Sequence, residues 1–141
     1  SWNRACSPLM EHFLKENEAI RQHLGTMKEA VKTLNDPQSK RRFRASLAQL
    51  AVVENKFIKM QNILFPIMEK KIPSTRPLTV LWSLHDDCKA LMDKILSHLK
   101  QPETDEKLLN KQIGEFYFLL MGILYKEEHI LFPIASYIIN K

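Results

Sequence analysis

The sequence predicts an all-α fold, an antiparallel up-down four-helix bundle. Three observations carry that expectation. Glycine is almost absent (3 of 141 residues) while 45% of residues are apolar, a composition of helices rather than of loops. Apolar residues recur at alternating spacings of four and three along four long segments, and prolines or short polar runs separate those segments. No stretch alternates apolar and polar residues as a half-buried strand does.

Each helix has its own start and stop signals. Ser7-Pro8 is an N-cap followed by proline at the first helical position, opening a helix that runs to about Leu34. Asn35-Asp36-Pro37 ends it, and Asp36 caps the second helix, which carries through a kink at Pro66 to Lys71. Pro73 to Pro77 is the next turn, and Pro77 opens a third helix that ends near Lys100, before Gln101-Pro102. Thr104 or Asp105 caps the fourth helix, which continues past a second kink at Pro133 to the end of the chain.

The length suits one domain over residues 1–141. The chain begins without Met, so it reads as a piece of a longer protein. The formal charge of +5 is spread among acidic residues, and its one cluster, Lys40 to Arg44, reads as a solvated helix start rather than a nucleic-acid patch. Cys6 and Cys88 are far apart, which gives no disulfide framework and favours a reducing, cytoplasmic compartment. Neither a membrane-spanning run nor a signal peptide is visible, so no membrane partner is expected.

The repeats define four inward seams. The first is Leu9, Phe13, Glu16, Ile20, His23, Met27, Ala30, Leu34; the second is Phe43, Leu47, Leu50, Glu54, Phe57, Gln61, Leu64, Met68. The third is Leu78, Leu81, His85, Cys88, Met92, Ile95, Leu99; the fourth is Leu109, Ile113, Phe116, Leu120, Ile123, Glu127, Ile130, Ile134. Six seam positions are not apolar: Glu16, His23, Glu54, Gln61, His85 and Glu127. With a rise of ~1.5 Å per residue, folding the chain at its turns brings Glu16, Gln61, His85 and Glu127 to within about one turn of a common level. His23 and Glu54 form a second pair further along the axis.

A buried carboxylate without a partner is costly enough that it takes up a proton, a cation or a hydrogen-bond donor. Metal ligation and a metal-free polar network that fixes helix register both answer that requirement, and seam position alone leaves them level. Cys88, one turn beyond His85, reads as a small core residue, with a thiol ligand to zinc or haem as the other option. His12, His98 and His129 lie off the seams and are expected at the surface, His12 least firmly because it is one turn before Glu16. There is no Glu-x-x-His pair, phosphate loop, nucleophile elbow or Cys-x-x-Cys, so no catalytic residue is assigned and no enzyme is expected.

Lys126-Glu-Glu-His-Ile-Leu-Phe-Pro133, its echo Asn62-Ile-Leu-Phe-Pro66, and Leu81-Trp-Ser-Leu-His85 resemble the hemerythrin-like (HHE cation-binding) family over nearly the whole chain. They are similar to a bacterial branch in which this domain precedes a PAS sensor domain, and Glu16 to Ile20 is similar to that branch's first helix. The resemblance implies a four-helix bundle with a non-haem, usually di-iron, centre that binds or senses oxygen, nitric oxide or redox state, or handles iron. It implies His85 as the third-helix ligand, Glu127 and Glu128 as the carboxylates kept in the fourth, and His12, Glu16 or His23 as the first-helix ligand. Taken with the seams, the candidate metal ligands are Glu16, His85 and Glu127, with His12, His23, Glu54, Gln61 and Glu128 as further ligands or polar support. The family's His-x-x-x-Glu before each Leu-Phe-Pro is not kept. Lys56 and Met60 stand in its first copy and Ile123 in its second. Lys56, pointing inward, would set a cation where the metal sits and pair with Glu127.

Two readings result. One is a hemerythrin-like sensory or ligand-binding bundle with iron, a partner such as a PAS domain, and a diatomic gas as ligand. The other is a metal-free structural or interaction module, or one whose cavity beside Phe57, Met60 and Ile123 takes haem or an apolar ligand.

Overall fold

In a computed structural model of the chain, residues 7–34 and 36–139 are described. They form four helical rods, and no strand occurs among them. The first rod is α1 (Pro8–Val31). The second is α2 (Pro37–Gln49), α3 (Ala51–Lys59), a π-helical turn (Met60–Leu64) and α4 (Phe65–Glu69). The third is α5 (Arg76–Leu99). The fourth is α6 (Glu106–Lys126), a second π-helical turn (Glu127–Leu131) and α7 (Phe132–Ile139). Cys6 lies outside the described residues, whereas Cys88 is a free, buried thiol.

The rod ends are fixed by short polar side chains, which satisfy amide groups that the first turn leaves without partners. Ser7 Oγ accepts from the Met10 amide at 3.3 Å, Asp36 Oδ1 from Gln38 at 3.1 Å and Asp105 Oδ1 from Leu108 at 3.1 Å. Of the two candidates for the fourth cap, Asp105 therefore takes it. Part of the basic cluster is also used internally. Arg44 donates to the Leu99 carbonyl at 2.6 Å, and Lys40 to Thr104 at 3.4 Å.

At each Leu-Phe-Pro the structure has a π-turn in the preceding residues. The Phe65 amide reaches back to the Met60 carbonyl, and the Phe132 amide to that of Glu127. Proline has no N–H to give and clashes with the carbonyl four residues behind it. A wider turn just upstream is one way to accommodate both faults. The extra residue resets the helical phase of the downstream segment. Ile130 and Ile134, expected in the fourth seam, are 52% and 44% exposed, and Leu131, Phe132 and Ala135 are buried instead.

The other seams need smaller corrections. The third is buried at all seven predicted positions. In the first, Asn17 and Leu24 are buried while Glu16 and His23 lie at the half-buried margin. In the second, Val53 and Met60 turn inward where Glu54 and Gln61 were expected.

The apolar core falls into two parts. One holds Ile20, Leu24, Phe43, Phe57, Ile95 and Phe116, and the other holds Phe13, Met60, Phe65, Leu81 and Phe132. Phe13 and Phe132 stack within the second, their ring centres 5.8 Å apart. Asn17, Lys56, His85 and Glu127 are polar, fully or almost fully buried, and drawn from all four rods.

Candidate functional site: a buried lysine–glutamate layer

Lys56 comes from the last turns of α3, and Glu127 opens the second π-turn. Lys56 points inward. Its Nζ donates to Glu127 Oε1, and both side chains have zero exposure. Asn17, on α1, donates from its one amide nitrogen to Glu127 Oε1 at 3.1 Å and to Glu128 Oε2 at 3.0 Å. Arg21, one turn further along α1, closes on Glu128 at 2.6 Å. The two neighbouring carboxylates are thus held from two rods, by one ammonium, one amide and one guanidinium.

His85 faces the same interior from α5, 2% exposed. Its ring stacks on Phe57 at 3.7 Å between centres, with Phe65 beyond it at 6.0 Å. Gln61 approaches His85 Nδ1 at 3.1 Å through its amide nitrogen. An amide nitrogen only donates, so Nδ1 accepts, and the neutral ring carries its proton on Nε2. Glu16 sits at the edge of the layer, where Lys59 reaches it at 2.8 Å and exposed His12 at 3.2 Å.

Burial dominates the electrostatics. It lowers the Lys56 ammonium below its usual range, against the pull of Glu127, and it raises the Glu127 carboxyl, against Lys56 and the Asn17 hydrogen bond. Burial, then the nearby Lys56 charge, pushes His85 down to about 3, so the ring is neutral at ordinary pH. The Cys88 thiol is pushed up to about 12, mainly by burial. It stays protonated, which suits a core residue and not a thiolate ligand.

Of the residues singled out in the sequence, Lys56, His85, Glu127, Met60 and Ile123 are buried. Glu16, Gln61 and Glu128 form the layer's half-buried margin. His23 and Glu54 are half-buried too, but no hydrogen bond or ion pair joins them among the described residues. His129 is exposed and stacks on Tyr125 at 4.3 Å. His98 departs from expectation: it is buried, accepts the Asp105 amide at 3.3 Å and faces Gln112 Oε1 at 3.0 Å. Asn17 was not singled out as a site residue, although its spacing signalled it, four after Phe13 and three before Ile20.

A bundle of four rods with ionisable side chains converging on its axis defines a class of proteins that build cation sites between facing helices. The chain matches the family model of the hemerythrin HHE cation-binding domain over residues 8–135, and it belongs to that family. Neither a curated protein nor a solved structure matches it at a significant level.

The donor set does not fit the family's iron pair. Two bridged irons need several imidazoles and bridging carboxylates. Among the described residues no three His, Cys, Asp or Glu side chains converge on one point. Glu127 is already engaged by an ammonium, and the proton on His85 Nε2 occupies the ring nitrogen that Gln61 leaves free.

Proposed function

We propose that this chain is a hemerythrin-family sensory or ligand-binding module, not an enzyme, in which the cation on the bundle axis is the protein's own. The observation that carries this reading is the fully buried contact between Lys56 and Glu127. An ammonium where the family's metal would lie compensates the buried carboxylate without iron and fixes the register of the second and fourth rods. Opposed pairings such as Phe13 with Phe132 and Lys28 with Tyr117 support an antiparallel up-down arrangement. The output is the packing of the rods that carry the π-turns, read by a partner domain such as PAS in a cytoplasmic protein. No helix among the described residues is long and apolar enough to cross a membrane, in keeping with that setting.

Metal analysis of protein purified from iron-supplied cells tests this. The expected result is far less than one metal per chain, with no visible absorbance. The variant Lys56→His/Met60→Glu/Ile123→His, which refills the slots that the family resemblance points to, is expected to gain iron. Stoichiometric iron in the unmodified chain would overturn the reading.

A second reading has one observation in its favour. Asn17 Oδ1, His85 Nε2 and Glu127 Oε2 are buried without a hydrogen-bond partner. With the opposite ring tautomer, His85 and Glu127, supported by Glu16, would hold a single metal ion that responds to oxygen, nitric oxide or redox state. Metal content that falls in both His85→Ala and Glu127→Gln would establish it. A haem absorption band would point instead to the haem-binding alternative at Phe57, Met60 and Ile123.

A further inference from the structure

The geometry points to a binding site for an anionic amphiphile, an aliphatic chain with a carboxylate or similar head, in a groove between the start of α5 and the second π-turn. The groove has a volume of about 660 Å³, within the range of small-molecule sites. Its floor is the outer surface of core residues Met68, Leu78, Leu81 and Leu131, and its lip is formed by Ile130 and Ile134.

Three features choose the occupant. The walls are aliphatic and include no aromatic ring, so a flexible chain is matched and a planar ligand has nothing to stack on. The ionisable groups lining the groove are Arg76 and Lys126, both cationic, and neither pairs with a carboxylate among the described residues. Both residues are exposed, and side chains of this kind cover apolar surface with their stems while keeping the charge in water, so an anionic head group would find cationic partners at the groove. A second copy of the chain is disfavoured, because a self-complementary contact would bring these unpaired cations together on a chain of net charge +5.

The groove also has a cause in the sequence. The π-turn that precedes Pro133 rotates Ile130 and Ile134 out of the core, so they line a surface groove instead of filling the bundle. The same five residues present Glu127 to Lys56 on their inner side. A chain held against Ile130 therefore lies across one π-turn from the buried pair. The site itself stands whether or not the axis holds a metal.

Titration calorimetry of the whole chain with sodium dodecanoate, and with dodecyltrimethylammonium, both below their micelle concentrations, tests the proposal. Saturable one-to-one binding of dodecanoate is expected, with the cationic analogue weaker by about tenfold. Arg76→Glu/Lys126→Glu should reverse that preference. Ile134→Asp and Val80→Asp, both at exposed positions in the groove lining and checked for retained helix by circular dichroism, should each abolish binding of both probes. Absence of saturable dodecanoate binding would overturn the proposal. So would equal affinity for the two head groups, unchanged binding in both aspartate variants, or binding of an acidic amphipathic peptide without dodecanoate.

Discussion

Lys56 and Glu127, 71 residues apart in the chain, meet head to head where neither touches solvent. Each is the other's compensation for a large loss of hydration. Lys56→Met alone leaves a buried carboxylate and Glu127→Leu alone leaves a buried ammonium, so each should destabilise by about 3–5 kcal/mol. The double variant should recover most of that loss or exceed the parent in stability. Denaturant unfolding of the four proteins measures the coupling, and additive losses would show that the pair is not a unit.

Asn17 should contribute through the same carboxylates. Asn17→Leu removes donors to Glu127 and Glu128 and is expected to cost about 1–3 kcal/mol. Asn17→Asp should cost more, since it adds a third carboxylate to the two already there. The order of the thermal midpoints decides it: parent, then Leu, then Asp.

His85 should make the fold acid-sensitive. Its folded value lies near 3 against an ordinary 6.5, so between those limits the unfolded chain binds more protons at this ring and stability rises with pH. The contribution is fully present above pH 6.5 and is lost as pH falls toward 3, at ~1.4 kcal/mol per unit. The facing charge is Lys56 and the stacked neighbour is Phe57. His85→Leu should flatten the fall of the thermal midpoint in that window. An unchanged slope would assign the acid sensitivity to other groups.

His98 should act as a latch on the turn between the third and fourth rods. It accepts from the Asp105 amide and, on its other nitrogen, donates to Gln112. His98→Ala should lower stability by about 1–2 kcal/mol and raise hydrogen exchange of the Asp105 amide. Metal content and groove binding should be unaffected. Gln112→Leu should give a milder version of the same change.

Much of the rest was legible in the sequence because it depends on neighbours along the chain. Ser7, Asp36 and Asp105 cap helices as their positions before each helix require. The third seam reads true throughout because α5 runs unbroken from Arg76 to Leu99. Where a π-turn intervenes, a seam extrapolated at fixed period drifts. That is why Ile130 and Ile134 were expected inside. In α1, Glu16 and Asn17 differ by one residue of helical phase, which a 4-3 repeat does not resolve; packing buries Asn17 and leaves Glu16 at the margin.

The amino-acid order alone determined the helices, most of their caps and the paired Leu-Phe-Pro motifs. Those properties depend on spacings of a few residues. Only the tertiary structure decided which polar residues meet: Lys56 against Glu127, Asn17 between two carboxylates, His85 neutral beside Phe57. Partner choice across rods is set by packing of four surfaces at once, and burial then decides which charges persist.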